Sequence, residues 1–234
     1  MALLYLRHAQ RKSTYMEATS LPLAHLVRRP TRAVGAAPLL ILLHGIGSNE
    51  EDLMGLEPYL DERFLVVSAR APHPYGWGGY AWFEIQWLPD RIAIDRAQAE
   101  QSRDLLVRFI GQAAAAYGAD PARVYLMGFS QGAMISGWVA LTRPELVAGA
   151  ALMSGRLPEE LREQIADPEQ LTGKPFLVVH GTRDELLPIQ NCRASRDLLQ
   201  RLPVELTYRE YPMGHEVSAQ SLTDVVAWLS ARLA

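Results

Sequence analysis

The stretch RVYLMGFSQG, residues 123–132, decides how the fold is read. Val124, Tyr125, Leu126 and Met127 form a continuous apolar run, partly β-branched or aromatic, which suits a strand buried on both faces. The run stops at Gly128-Phe129-Ser130-Gln131-Gly132, and residues 133–141 read as a helix. A serine between a buried strand and a helix sits on a turn so tight that only glycine fits two residues before it and two after it. Ser130 is therefore expected to present its hydroxyl at the edge of a sheet. Three fixed positions match by chance in roughly one chain in ten of this length, so the pattern acquires meaning only through partners elsewhere.

Outward from this stretch, the same alternation repeats. Residues 23–28 read as an edge strand, and PLLILL, residues 38–43, as a fully buried one that ends at His44-Gly45-Ile46-Gly47. Capping-type residues at 49–52 open a helix expected to run to about Glu62, and residues 64–69 form the next strand. Residues 72–90 read as a long loop carrying Tyr75, Trp77, Tyr80, Trp82, Phe83 and Trp87. So many large rings argue against disorder. A helix over 94–117 is expected to end at Gly118, with a turn at Asp120-Pro121 leading into the Ser130 strand. Further strands are expected at 147–153, 175–180 and 204–211, with helices at 189–201 and 216–233. Strands alternating with helices predict an α/β fold, a mostly parallel central sheet with helices on both faces. With no repeats or low-complexity tracts, residues 1–234 read as one domain, the first 20 as a loose arm.

Composition excludes several function classes. A net charge of −3 gives no reason to expect nucleic acid or an anionic membrane surface as partner. Cys192 is the only cysteine, which rules out an internal disulfide framework and fits a reducing compartment. Arg7, Arg11 and Lys12 interrupt the apolar start before a signal-peptide core forms, and no apolar run reaches a membrane span. The expectation is a cytoplasmic protein without integral membrane association.

A serine hydroxyl is a poor nucleophile at neutral pH and needs a base within hydrogen-bond reach, which in turn needs a group to orient it. Asp184, four residues beyond the 175–180 strand, and His215, in a glycine-led loop after the last strand, are the candidates. In an open parallel sheet the carboxyl ends of the strands share one edge, where residues distant in sequence converge. The developing negative charge needs fixed N–H donors. Gln131, at a helix N-terminus, supplies one; the loop after PLLILL supplies the other, from Ile46 or Gly47. Trp82 and Phe83 are the candidates for an acyl pocket, with core packing as the competing reading. His44 is read as a residue that holds its loop, and His180 with Gly181 as shaping the turn that presents Asp184. His8, His25 and His73 are expected in solvent, Cys192 as a packed residue, and Asp167 and Asp197 as weaker rivals to Asp184. No metal ligation pattern and no cofactor are implied.

Five segments, LLHGIGSNEEDL (42–53), GGYAWF (78–83), GFSQGAM (128–134), HGTRDELLP (180–188) and GHEV (214–217), together resemble the small carboxylesterase family. That family includes broad-specificity bacterial esterases, lysophospholipase-like enzymes and acyl-protein thioesterases. The resemblance implies an α/β-hydrolase fold without a large cap domain and a Ser130, Asp184, His215 triad. It also implies hydrolysis of small-molecule carboxylic esters or thioesters by a monomer or homodimer. Two departures stand out: residues 1–37 match nothing in the family pattern, and Leu187 replaces a common valine. Three rival readings remain. A dinucleotide-binding turn at Gly45-x-Gly47 lacks its third glycine, where Glu50 stands. A silent binding module predicts loss of a triad member, and all are present. The same fold running amide, C–C or perhydrolysis chemistry is left open by fold and triad alone.

Overall fold

A computed structural model of the chain describes residues 21–32, 35–88 and 92–233. The N-terminal arm expected over 1–20, with His8, lies outside these residues. The chain opens with strand β1 (His25–Arg28), then β2 (Pro38–Leu43), helix α1 (Glu50–Met54) and β3 (Leu65–Ala69). Four short strands follow: β4 (His73–Tyr75), β5 (Gly79–Ala81), β6 (Ile85–Trp87) and β7 (Ile92–Ile94). Next come α2 (Arg96–Tyr117), β8 (Asp120–Phe129), α3 (Gln131–Thr142) and β9 (Gly149–Met153). The remainder is α4 (Pro168–Leu171), β10 (Pro175–Gly181), α5 (Ile189–Leu199), β11 (Glu205–Tyr211) and α6 (Ala219–Ser230).

Seven strands form one sheet in the order β1-β3-β2-β8-β9-β10-β11. Only β1 at the edge is antiparallel; the other pairings are parallel. Alternation along β2 shows why both faces must be covered. Leu39, Ile41 and Leu43 pack with residues of α2, α3 and α5, whereas Leu40 and Leu42 pack with α1 and α6. All of β2 is buried, so the continuous apolar run is what a central parallel strand requires. With helices on both sides, the loops at the carboxyl ends of β2, β8, β9, β10 and β11 gather on one edge.

Two expectations are corrected. The helix after Asn49 is short because Gly55 caps it, and Pro58, which lacks an N–H, sits in a separate 3-10 turn at Glu57–Tyr59. The segment 72–90 is not structureless: β4 pairs with β5, and β6 pairs with β7. Strands of three residues are too short to display a period of two. The β4–β5 turn carries Trp77 fully exposed at its tip, between Gly76 and Gly78, both at positive φ.

Candidate active site

The turn after β8 is the tightest point of the site. Ser130 has φ 54° and ψ −116°, a conformation that L residues rarely adopt. Its neighbours explain why the turn needs glycine: a Cβ on Gly128 would stand 2.2 Å from the Gly132 carbonyl oxygen, and one on Gly132 would stand 1.9 Å from that of Leu43. The serine hydroxyl is thus delivered at the start of α3 by backbone that packs directly on β2.

His215 joins the other two residues. Its Nε2 lies 2.9 Å from Ser130 Oγ and its Nδ1 lies 2.7 Å from Asp184 Oδ2. The rivals are elsewhere: Asp167 precedes α4, and Asp197 pairs with Arg196 on the surface of α5. Asp184 is buried with its acceptors filled. Oδ1 receives the N–H groups of Leu186 and Leu187, while Oδ2 meets both His215 and Nε2 of His180 at 3.2 Å. Burial pushes the Asp184 carboxyl up, but the hydrogen bonds from His180, His215 and Leu187 outweigh it and hold it well below the usual carboxylate range. For His180, burial works against the charged form, yet Asp184 and the adjacent Cys192 raise its pKa to about 10. His180 therefore does more than shape a turn, since it also donates to the Leu187 carbonyl at 2.8 Å.

Two N–H donors are expected beside Ser130, one from the loop after β2 and one from Gln131. Gly47 N–H is occupied by the Tyr80 carbonyl at 2.8 Å, which leaves Ile46 as the available donor of that loop. Gln131 N–H is the first of α3, where a helix has no internal acceptor to offer. Ile46 and Gln131 both line the cleft that holds Ser130 and His215. The Gln131 side chain is itself a clamp: Oε1 accepts from Trp82 N–H at 2.7 Å and Nε2 donates to the Phe83 carbonyl at 2.6 Å.

This arrangement overturns the acyl-pocket reading of Trp82 and Phe83. Both side chains are wholly buried in the core, and Trp82 Nε1 donates to the His44 carbonyl at 3.0 Å. They support the loop that carries Ile46 and the backbone that holds Gln131, but they do not line the cleft. The cleft has an empty volume of about 350 Å³, part of it open to solvent, and its apolar walls are Ile46, Ile85, Ile92, Met134, Leu186 and Leu187. Arg156 completes the lining. Sequence reasoning missed Ile85 and Ile92 because the β6–β7 hairpin was invisible, and missed Arg156 because a single arginine after a strand carries no pattern.

The other histidines divide. His44 is buried, with Nδ1 donating to the Gly45 carbonyl at 2.7 Å and Nε2 accepting from Ala71 N–H at 3.0 Å, and burial lowers its pKa. His25 is not in solvent as expected; it is buried between the Leu23 carbonyl and the Tyr117 hydroxyl, and its pKa is likewise lowered by burial. His73 is half-buried beside Ser102. Cys192 is a buried free thiol, as its packing role requires. Among the described residues no group of His, Cys, Asp or Glu could hold a metal ion, and no helix is long and apolar enough to cross a membrane.

Comparison with known proteins identifies the family and the fold. A model of the phospholipase/carboxylesterase family matches residues 29–233, so residues 29–37, expected to fall outside the family pattern, lie within it. A probable carboxylesterase SOBER1-like from Arabidopsis thaliana is 28% identical over 212 residues, covering 85% of this chain and 80% of that protein. Acyl-protein thioesterase 1 from Kluyveromyces lactis is 27% identical, covering 88% and 97% of the two chains. Among solved structures, the Bacillus cereus carboxylesterase superposes with TM-score 0.78 at 24% identity, over 89% of this chain and 94% of that one. Esterase PE8 superposes with TM-score 0.75 at 27% identity, over 93% and 99%.

Proposed function

This chain belongs to the phospholipase/carboxylesterase family and is a carboxylesterase-type hydrolase with an α/β-hydrolase fold, and from that premise we propose that Ser130, His215 and Asp184 carry its reaction. The observation that supports the reading is the single imidazole of His215 set between Ser130 Oγ and Asp184 Oδ2, at 2.9 and 2.7 Å.

In this mechanism His215 Nε2 takes the Ser130 proton as Oγ attacks the ester carbonyl carbon. Asp184 keeps Nδ1–H of the imidazole directed at itself and stabilises the imidazolium that forms. The carbonyl oxygen becomes an oxyanion, which accepts hydrogen bonds from the N–H groups of Ile46 and Gln131. His215 then protonates the departing alkoxide, leaving an acyl group on Ser130. Water, deprotonated by His215, attacks that acyl group and the serine is restored. The apolar walls suit acyl chains of short to medium length. Thioesters and lysophospholipids belong to the same reading, supported by the relative named acyl-protein thioesterase and by the family description. The lone cysteine supports a reducing, cytoplasmic setting for this chemistry.

The test is turnover of p-nitrophenyl butyrate with and without the serine. The parent chain is expected to hydrolyse it through an acyl-enzyme, and Ser130→Ala is expected to lower kcat by about 10⁴-fold or more. A Ser130→Ala protein within tenfold of the parent would contradict the reading.

A further inference from the structure

Among the described residues only two that are not glycine have positive φ, Ser130 at 54° and Ser154 at 49°. They lie at the carboxyl ends of adjacent parallel strands, β8 and β9. Backbone strain of this kind persists where surrounding structure imposes it and clusters at functional sites. Ser154 is fully buried, tied by its N–H to the Val179 carbonyl at 2.9 Å. The next residue, Gly155, packs on the nucleophile turn: a Cβ there would stand 2.9 Å from the Ser130 carbonyl oxygen and 2.5 Å from Ala133 Cβ. Leu157 N–H is then fixed by Ser195 Oγ at 2.8 Å. The strained turn thus places Arg156 between two anchored residues, lining the same cleft as Ser130.

Among the described residues lining the cleft, Arg156 is the only guanidinium or ammonium, set among apolar walls and the polar groups of Ser130, Gln131 and His215. Of its five N–H donors, one is engaged among the described residues, Nη2 to the Ile92 carbonyl at 3.1 Å. No described carboxylate lies within 4 Å of it; Glu160 and Glu159 act on it only at longer range. Burial lowers its pKa, and it remains charged at neutral pH all the same. A half-buried guanidinium with free donors at the cleft wall matches a planar or tetrahedral oxyanion.

We propose that Arg156 selects esters bearing an anionic group, a carboxylate or phosphate, placed a few bonds from the scissile carbonyl. This deepens the esterase reading and rests on it. The negative group can sit on the acyl tail or on the alcohol, and matched pairs separate the two. On the acyl side, p-nitrophenyl hemiadipate is compared with its neutral methyl ester. On the alcohol side, 1-butyrylglycerol 3-phosphate is compared with monobutyrin.

The readout is the ratio of kcat/KM for the charged ester to that for its neutral partner, with folded sites titrated by a fluorophosphonate. In the parent chain the ratio is expected to exceed one in at least one pair, which identifies the side that carries the anion. Arg156→Gln is expected to reduce that ratio by about tenfold to a hundredfold, and Arg156→Glu to bring it below one. A parent ratio at or below one in both pairs, or a ratio unchanged in Arg156→Gln, overturns the proposal while leaving the esterase reading intact. Absence of turnover for all four esters overturns the esterase reading and this inference with it.

Discussion

Asp184 Oδ2 lies 3.2 Å from Nε2 of His180, so the carboxylate that meets His215 is also held by a second, fully buried imidazole. The motif that presents Asp184 therefore contains its own counter-ion, four residues earlier at the end of β10.

This pair sets an alkaline limit on stability. His180 has its pKa raised to about 10 in the folded chain, against an unperturbed value of about 6.5. Between these values the folded state binds more protons than the unfolded one, so stability falls as pH rises through that window. Below 6.5 the sign reverses for His25 and His44, whose pKa values are lowered by burial and whose neutral forms are lost as pH drops. Urea denaturation from pH 5 to 10 is expected to give a maximum near pH 6.5, with the alkaline fall absent in His180→Gln. A parent curve flat from pH 6.5 to 10 would contradict the pairing.

The strain at Ser130 gives a stability prediction with a fixed sign. Glycine tolerates φ 54° and alanine does not. Strain of roughly 1–3 kcal/mol, less the roughly 0.4–1 kcal/mol that glycine loses through the unfolded chain, leaves Ser130→Gly more stable than Ser130→Ala by about 1 kcal/mol. Chemical denaturation of the two inactive variants measures the difference directly.

Gln131→Leu should damage both folding and rate. It leaves the Trp82 N–H and the Phe83 carbonyl buried without their partner, which costs about 3 kcal/mol. Because the same residue carries the N–H proposed for the oxyanion, kcat is expected to fall about tenfold with KM little changed. A rise in KM with kcat unchanged would show that the clamp serves substrate affinity instead.

Chain-length selectivity should follow the cleft walls and not the buried aromatics. Met134→Ala is expected to shift the preferred acyl chain longer by about one or two carbons. Trp82→Phe is expected to leave the profile unchanged while lowering stability by about 1–2 kcal/mol, through loss of the bond to the His44 carbonyl. A series of p-nitrophenyl esters from acetate to octanoate distinguishes the two.

The sheet was legible in the sequence because its central strands are unbroken apolar runs, and PLLILL occupies β2 from end to end. The convergence of Ser130, Asp184 and His215 was legible for a related reason: each lies beyond the carboxyl end of a strand in the parallel sheet, so their positions along the chain implied a shared edge. What surrounds them was not. Trp82 and Phe83 looked like pocket residues because they lie in an aromatic loop, yet burial of two large rings stabilises the core and their backbone, not their side chains, serves the site. The walls from Ile85, Ile92 and Arg156 depend on three-residue strands and one strained turn, features that leave no periodicity. His25 was misplaced for lack of any local sign that Tyr117, on a distant helix end, would receive it.

The central claim is that Ser130 is made nucleophilic by His215, and labelling with a fluorophosphonate tests it most directly. One equivalent of label per chain is expected, mapped by peptide mass spectrometry to Ser130, with a labelling rate reduced by at least about a thousandfold in His215→Ala. Label on any other residue, or an undiminished rate at Ser130 in His215→Ala, would contradict it.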